Sequence, residues 1–188
     1  AEINGLNAAL DRYLDEGPSP TVESSEENET TYVFDPADDG PMCLRGDPYR
    51  FATRETDSDS LVIFLQGGGA CWSGFCLAVN RASEGVAVVD VLNPNLEENP
   101  SADWDVLYLP YCGGSLFAGD VDHDDDGDGE DDRFHRGLHN LSGALRTGRE
   151  VFDERFLLWK DDVDLSLRIR KAGWRLLYVP SLVAWHCR

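Results

Sequence analysis

Residues 61–72 read Leu-Val-Ile-Phe-Leu-Gln-Gly-Gly-Gly-Ala-Cys-Trp, an apolar run suited to a strand that breaks into three consecutive glycines. Glycine suits such a turn for a physical reason. If two backbone N–H groups are to face a developing alkoxide, a Cβ there would block both the dihedrals and the approach of a substrate. A strand delivering such a loop is the arrangement of an oxyanion hole, and it points to ester hydrolysis. The nucleophile elbow that should follow, G-x-S-x-G, does not occur in the 188 residues.

Around this tract the chain alternates between elements and breakers. Leu6 to Leu14 carries apolar residues at helical spacing and is stopped by Gly17-Pro18-Ser19-Pro20, which predicts a short amphipathic helix. Thr21 to Thr30 has little to bury and reads as a solvated linker, so residues 1–30 are expected to be a helix and an acidic linker. Thr31 to Phe34 reads as an edge strand, Tyr49 to Thr53 as another, and Leu61 to Leu65 as a buried central strand. Asp105-Val106-Leu107-Tyr108-Leu109-Pro110-Tyr111 is the next buried strand, and Cys76 to Val91 has room for a helix between them. That β-α-β alternation predicts an α/β fold with a parallel-leaning sheet.

Charge narrows the partners. The formal net charge of −20 and pI near 4.3 set the chain's field against polyphosphates, so neither nucleic acid nor an anionic membrane surface is expected as a partner. A polysaccharide or another acylated substrate fits better. Only two lysines occur, Lys160 and Lys171, and the wealth of carboxylates suits hydration in concentrated salt. Five cysteines exceed cytosolic custom and predict an exported, extracellular protein. Cys71 and Cys76 are near enough to close a small loop, and the odd count leaves Cys187 over. No apolar run is long enough to span a bilayer, and the given chain opens at Ala1 without a signal-peptide pattern.

Several ordered motifs together resemble the pectin acetylesterase and Notum-like hydrolases. They are Cys43-Leu44-Arg45-Gly46, Gln66-Gly67-Gly68-Gly69-Ala70-Cys71-Trp72, the run from Pro110-Tyr111-Cys112-Gly113-Gly114-Ser115 through Asp120, and His135-Arg136-Gly137-Leu138-His139-Asn140. The resemblance covers roughly residues 40–146 and implies a partial α/β-hydrolase domain over 31–146, a carbohydrate or lipid deacylase in type. It matches Gly68 and Gly69 to the backbone donors of the oxyanion hole and Cys71–Cys76 to a local disulfide. Family members follow this half with a second one holding the serine nucleophile, the acid and the histidine, and those positions have no counterpart here. Ser115 lacks the glycine that lets an elbow turn, Ser73 simply follows Trp72, and both read as structural. His135 and His139 stand four apart without the His-Glu of a zinc protease, and read as core or loop histidines.

Residues 120–132 read Asp-Val-Asp-His-Asp-Asp-Asp-Gly-Asp-Gly-Glu-Asp-Asp. Counted from Asp122, carboxylates alternate at Asp122, Asp124, Asp126 and Asp128, with glycine sixth, as in the front half of a calcium loop. The closing Glu is absent in either register, since the twelfth position is Arg133 or His135. A weak structural calcium site and a solvated acidic insertion are both open. No cofactor is required by the expected chemistry.

The composition breaks near the end. Residues 1–148 hold 30 acids against 8 arginines, a net of −22, whereas residues 149–188 hold 6 acids against 8 bases, a net of +2. Val151 to Arg168, continuing through Gly173-Trp174 and Tyr178-Val179-Pro180 to Trp185-His186, resembles the end of a family 2 glycosyltransferase of GT-A type. There the resemblance implies a helix–strand segment over 150–188 in which Asp162 is the base that deprotonates the acceptor hydroxyl, with Asp161 in place of the usual Glu. A carboxylate at a helix start can hold that role. The nucleotide-binding strand and the Asp-x-Asp of that family's first half are absent, and Leu165, Ile169 and Leu176 to Val179 also suit plain packing. The expectation is therefore an incomplete α/β-hydrolase-like fold joined near Leu145–Glu150 to a GT-A-type segment. The function expected is that of a carbohydrate deacetylase lacking its nucleophile half and inactive as it stands. The alternatives are a glycosyltransferase fragment using a nucleotide donor and a non-catalytic acidic calcium-binding module.

Overall fold

The computed structural model describes residues 17–36, 40–72 and 75–152. The chain divides into two units, Ala1–Glu154 and Arg155–Arg188, and the described residues belong to the first. The expected Leu6–Leu14 helix, Ser73, Asp162, Cys187 and the bulk of the 150–188 segment lie outside them.

Five strands form one mixed sheet: β1 (Thr21–Glu26), β2 (Glu29–Val33), β3 (Arg50–Arg54), β4 (Leu61–Leu65) and β7 (Asp105–Leu109). Their order is β1-β2-β3-β7-β4. Two hairpins stand outside it, β5 (Gly69–Trp72) with β6 (Phe75–Ala78), and β8 (Val121–His123) with β9 (Arg133–His135). A 16-residue helix, α1 (Gly137–Phe152), follows. This is an α/β-type fold, a mixed sheet with one long helix among the described residues.

Successive residues of β7 feed opposite faces of the sheet. Leu107 and Leu109 point into a core with Phe34, Tyr49, Phe51, Tyr111 and the helix residues Ala144 and Leu145. Val106 and Tyr108 point into a second core with Ala52, Val86 and Leu92. Helix α1 comes close to the sheet because it is small where it meets it. A Cβ on Gly148 would stand 2.7 Å from Leu107 Cδ2, and one on Gly143 would stand 2.9 Å from Phe34 Cζ and 3.0 Å from Pro41 Cγ. Asn140, 1% exposed, ties the helix to the preceding loop: its Nδ2 donates to the Met42 carbonyl at 3.0 Å and its Oδ1 accepts the Met42 N–H at 2.8 Å. The compositional break at residue 148 falls inside this continuous helix.

The structure differs from the sequence expectation in the sheet, in the crossover and at the start of the described chain. The sheet is not parallel-leaning, since β4 and β7 pair in parallel while β1/β2, β2/β3 and β3/β7 are antiparallel. The helix expected over 76–91 is not formed. Its place is taken by β6, irregular chain and a 3-10 turn at Asp90–Leu92. Gly85 there takes a left-handed φ of +66°, and Val88 and Val89 are exposed while Val86 and Leu92 are buried, so no helical stripe faces the core. Leu61–Leu65, expected at the centre, is half-buried at the edge of the described sheet, whereas β2 and β3, both expected at an edge, lie inside it, β2 between β1 and β3 and β3 between β2 and β7. Finally, Thr21–Thr30 is a β-hairpin rather than a linker. β1 is exposed at all six positions, so burial could not reveal it. Its register is held by β2 and by Arg50 on β3, which reaches across to grip Glu23 at 2.6 and 2.8 Å.

Two disulfides are present among the described residues. Cys43–Cys112 joins the loop before β3 to the chain leaving β7, and Cys71–Cys76 closes the β5/β6 hairpin.

Candidate functional site

At its end β4 hands the chain to the glycines. Gln66 continues the parallel pairing for one step, its N–H donating to the Leu109 carbonyl at 3.0 Å, and its Oε1 accepts the Tyr111 N–H at 3.0 Å. Gly67 has open space where a Cβ would be, whereas a Cβ on Gly68 would lie 2.2 Å from Tyr111 Cδ1. Gly69 opens β5 with a φ of +86°, a left-handed conformation that favours glycine. Each glycine of the tract thus meets a different constraint.

Tyr111 and the loop after it form the floor beneath this turn. The Leu116 N–H donates to the Tyr111 hydroxyl at 2.9 Å, and the ring meets Phe117 edge-on at 5.3 Å. Burial pushes the Tyr111 phenol above its usual range, and the Leu116 hydrogen bond opposes it. Leu116 and Phe117 both hold left-handed backbones, φ +56° and +58°, which for residues with side chains is strain of a kind that collects at functional loops. The Cys71 N–H donates to the Gly114 carbonyl at 2.9 Å. Gly114 itself is hemmed in by Cys71, Leu44 and His135.

Ser115 turns its hydroxyl toward the start of α1. A Cβ on Gly137 would come within 2.4 Å of Ser115 Oγ and one on Gly119 within 2.9 Å. The hydroxyl is buried there without a hydrogen-bond partner among the described residues. His135 is buried with Nδ1–H donating to the Gly113 carbonyl at 3.0 Å and its ring edge-on to His123 at 5.6 Å. Burial holds its imidazole below the usual histidine range, the Gly113 carbonyl opposes that, and Arg133 and His123 add to the lowering. His139 donates from Nε2 to Asp120 at 2.8 Å. The two histidines therefore face separate partners rather than one shared ion.

The acidic run is anchored by arginines at its ends and open at its tip. Arg136, buried, holds Asp122 through Nε and Nη2. Arg133 holds Asp125 at 2.7 Å, and Arg45 reaches the Asp132 carbonyl at 3.0 Å. At the tip, carboxylate oxygens of Asp124, Asp126 and Asp128 lie within 4.8 Å of one another, all three exposed. Asp124 accepts the N–H groups of Gly127 at 2.6 Å and Gly129 at 2.9 Å, which hold its carboxyl below the usual range. Asp122 stands apart from these three, with Arg136.

Tyr111, Gly114, Asp120 and Arg136 announce no role of their own in the sequence, although each falls within a motif of the hydrolase resemblance. Their parts depend on partners that no spacing along the chain announces.

No protein-family model matches the chain. Over 35 residues it is 51% identical to the N-acetylglucosaminyl-diphospho-decaprenol L-rhamnosyltransferase of Mycobacterium tuberculosis, in strain CDC 1551 / Oshkosh and equally in strain ATCC 25618 / H37Rv. The similarity takes in 19% of this chain and 11% of either enzyme, so the chain spans about a tenth of the curated relatives it matches.

Proposed function

We propose that the chain carries, in residues 150–188, a piece of a sugar-transferring enzyme in which Asp162 is the acceptor base. The observation that supports this is the identity of 51% over 35 residues with a rhamnosyltransferase, a run of nearly the same length as the segment. In this reading the Asp162 carboxylate accepts the proton of an acceptor hydroxyl as its oxygen attacks the anomeric carbon and the nucleotide diphosphate departs. The sequence holds no nucleotide-binding strand of that family, and its acidic loop at 120–132, though it contains Asp-x-Asp spacings, is not placed to replace the donor-side Asp-x-Asp, so transfer by this chain alone is not expected. A segment exchange tests the reading. Residues 150–188 are placed in the matched rhamnosyltransferase in exchange for its own segment, and L-rhamnose transfer is followed. Transfer should persist, and Asp162→Asn should lower it by about 100-fold or more, within the range general base catalysis supplies. A folded exchange with Asp162 intact but no transfer would refute it.

One observation favours a second reading for residues 31–146, a deacylase scaffold of pectin acetylesterase type that acts, or once acted, on acylated polysaccharide outside the cell. It is the close fit of Gly68 on Tyr111 just after a strand paired in parallel, which leaves that position no room for a side chain. Two disulfides accord with an oxidising compartment. Aryl-acetate hydrolysis by the full chain should stay at the buffer rate for want of an activated serine. Labelling of Ser115 by a fluorophosphonate would overturn that expectation.

A further inference from the structure

We propose that Cys76 is a thiol-exchange site, at which a small-molecule thiol opens the Cys71–Cys76 bridge and loosens the β5/β6 hairpin while Cys43–Cys112 stays closed. The two bridges differ in access. Cys43 and Cys112 are 0% and 1% exposed and sit in the first core with Phe34, Tyr49 and Phe51. Cys71 is 6% exposed, but its partner Cys76 is exposed on the hairpin. A thiolate must reach a sulfur from the side opposite the one that leaves, and exposed bridges are the labile ones. Of the four bridged cysteines, Cys76 alone is exposed.

The exchange runs in two balanced steps. The incoming thiolate forms a bond to Cys76 Sγ, the Cys71–Cys76 bond breaks, and its electron pair leaves on Cys71 Sγ, which takes a proton from water. A second thiolate attacks the sulfur of the first thiol, departs with it as a disulfide, and leaves Cys76 as a thiolate that is protonated in turn. Two thiols are oxidised and one bridge is reduced. What opens is a small element. Cys71 and Cys76 face each other across two four-residue strands that pair with no other strand among the described residues. A lone two-stranded hairpin is marginal in water. The bridge spans a separation of 5 against 69 for Cys43–Cys112, so its loss relaxes the unfolded chain little and leaves the five-stranded sheet folded. Gly69 opens β5 and the Cys71 N–H is held by the Gly114 carbonyl, so the state of the bridge sets how firmly the glycine turn is held.

The test treats the full chain, folded and at mildly alkaline pH, with graded reduced glutathione and then blocks free thiols with N-ethylmaleimide. Cleavage after arginine and lysine puts Cys71 and Cys76 together in peptide 55–81, apart from Cys43 in 13–45, Cys112 in 82–133 and Cys187 in 176–188. Cys71 and Cys76 should be labelled at a glutathione concentration at least about 10-fold below the one that labels Cys43 and Cys112, with any trapped glutathione on Cys76. If the adduct is too short-lived to trap, single variants decide: oxidised glutathione should modify Cys76 in Cys71→Ser at least about 10-fold faster than Cys71 in Cys76→Ser. Amide exchange over 69–78 should quicken by about 10-fold or more on opening, while Asp105–Leu109 keeps its protection. Cys43–Cys112 opening first or together with the hairpin bridge overturns the proposal, as does glutathione on Cys71, or equal or reversed rates in the variants. Unchanged exchange over 69–78, or protection lost in β7 as well, also overturns it.

Discussion

Gly68→Ala tests whether the glycine turn is shaped by its neighbour. The added Cβ would stand 2.2 Å from Tyr111 Cδ1, 3.0 Å from Cγ and 3.1 Å from Cβ. An ordinary carbon contact is about 3.5 Å, so the ring must retreat by roughly 1.3 Å. It has little freedom to do so. The Tyr111 N–H is held by Gln66, its hydroxyl accepts from Leu116, and the residue is 2% exposed. Overpacking costs about 1–3 kcal/mol, and losing the Leu116 bond adds about 1 kcal/mol, for a total of roughly 2–4 kcal/mol. At about 3 °C per kcal/mol the melting temperature should fall by roughly 6–12 °C. Gly67→Ala is the control, since its Cβ meets nothing within 4 Å and should shift stability by less than about 0.5 kcal/mol. Gly69→Ala should fall between them, because its φ of +86° strains a side chain by about 1–2 kcal/mol. Thermal melts of the three variants by circular dichroism give the order. Gly67→Ala as damaging as Gly68→Ala, or Gly68→Ala within about 1 °C of the parent, would refute the reasoning.

Three further outcomes are expected. His135 has its imidazole lowered by burial, so the unfolded chain binds the proton more readily. Stability should be full above the unfolded value near 6.5 and should decline as pH falls from there toward the folded value, and His135→Asn should flatten urea melts taken from pH 7.5 to 5. An unchanged slope in that variant would place the effect elsewhere. Replacing Cys43 and Cys112 by Ala frees a loop of 69 residues and should cost about 4 kcal/mol, against about 2 kcal/mol for Cys71 and Cys76 with a separation of 5, as guanidinium unfolding would show; the reverse order would count against loop closure as the cause. Gly148→Ala should destabilise by about 1–2 kcal/mol despite alanine's better helix propensity, because its Cβ would press on Leu107. A gain in melting temperature would mean that α1 slides freely on the sheet.

The apolar strands were legible because hydrophobic runs survive any context. Asp105–Leu109 is buried inside the sheet, between β3 and β4, as its composition implies. What composition hides is position. Leu61–Leu65 is as apolar as β7 yet lies at the edge of the described sheet, and the exposed Thr21–Glu26 pairs through its backbone, which side-chain patterning does not record. Cys76–Val91 had the length for a helix but carries Gly85 and a Val86-Ala87-Val88-Val89 run that favours extended chain. Of the site, the glycine tract was legible as a tight turn, because absence of a side chain is itself a signal. The support beneath it was not, since Tyr111 and Gly114 act on residues about forty positions earlier.

The Cys43–Cys112 bridge has a consequence for how this molecule breaks. It brackets β3, β4, β7 and the whole crossover between β4 and β7, the β5/β6 hairpin included. A protease that cuts once anywhere between the two cysteines yields two polypeptides that remain one covalent particle until a reductant is added. The exposed stretch around Val88 and Val89 can therefore be nicked, or opened to receive an inserted sequence, while the strands on either side stay tethered to each other.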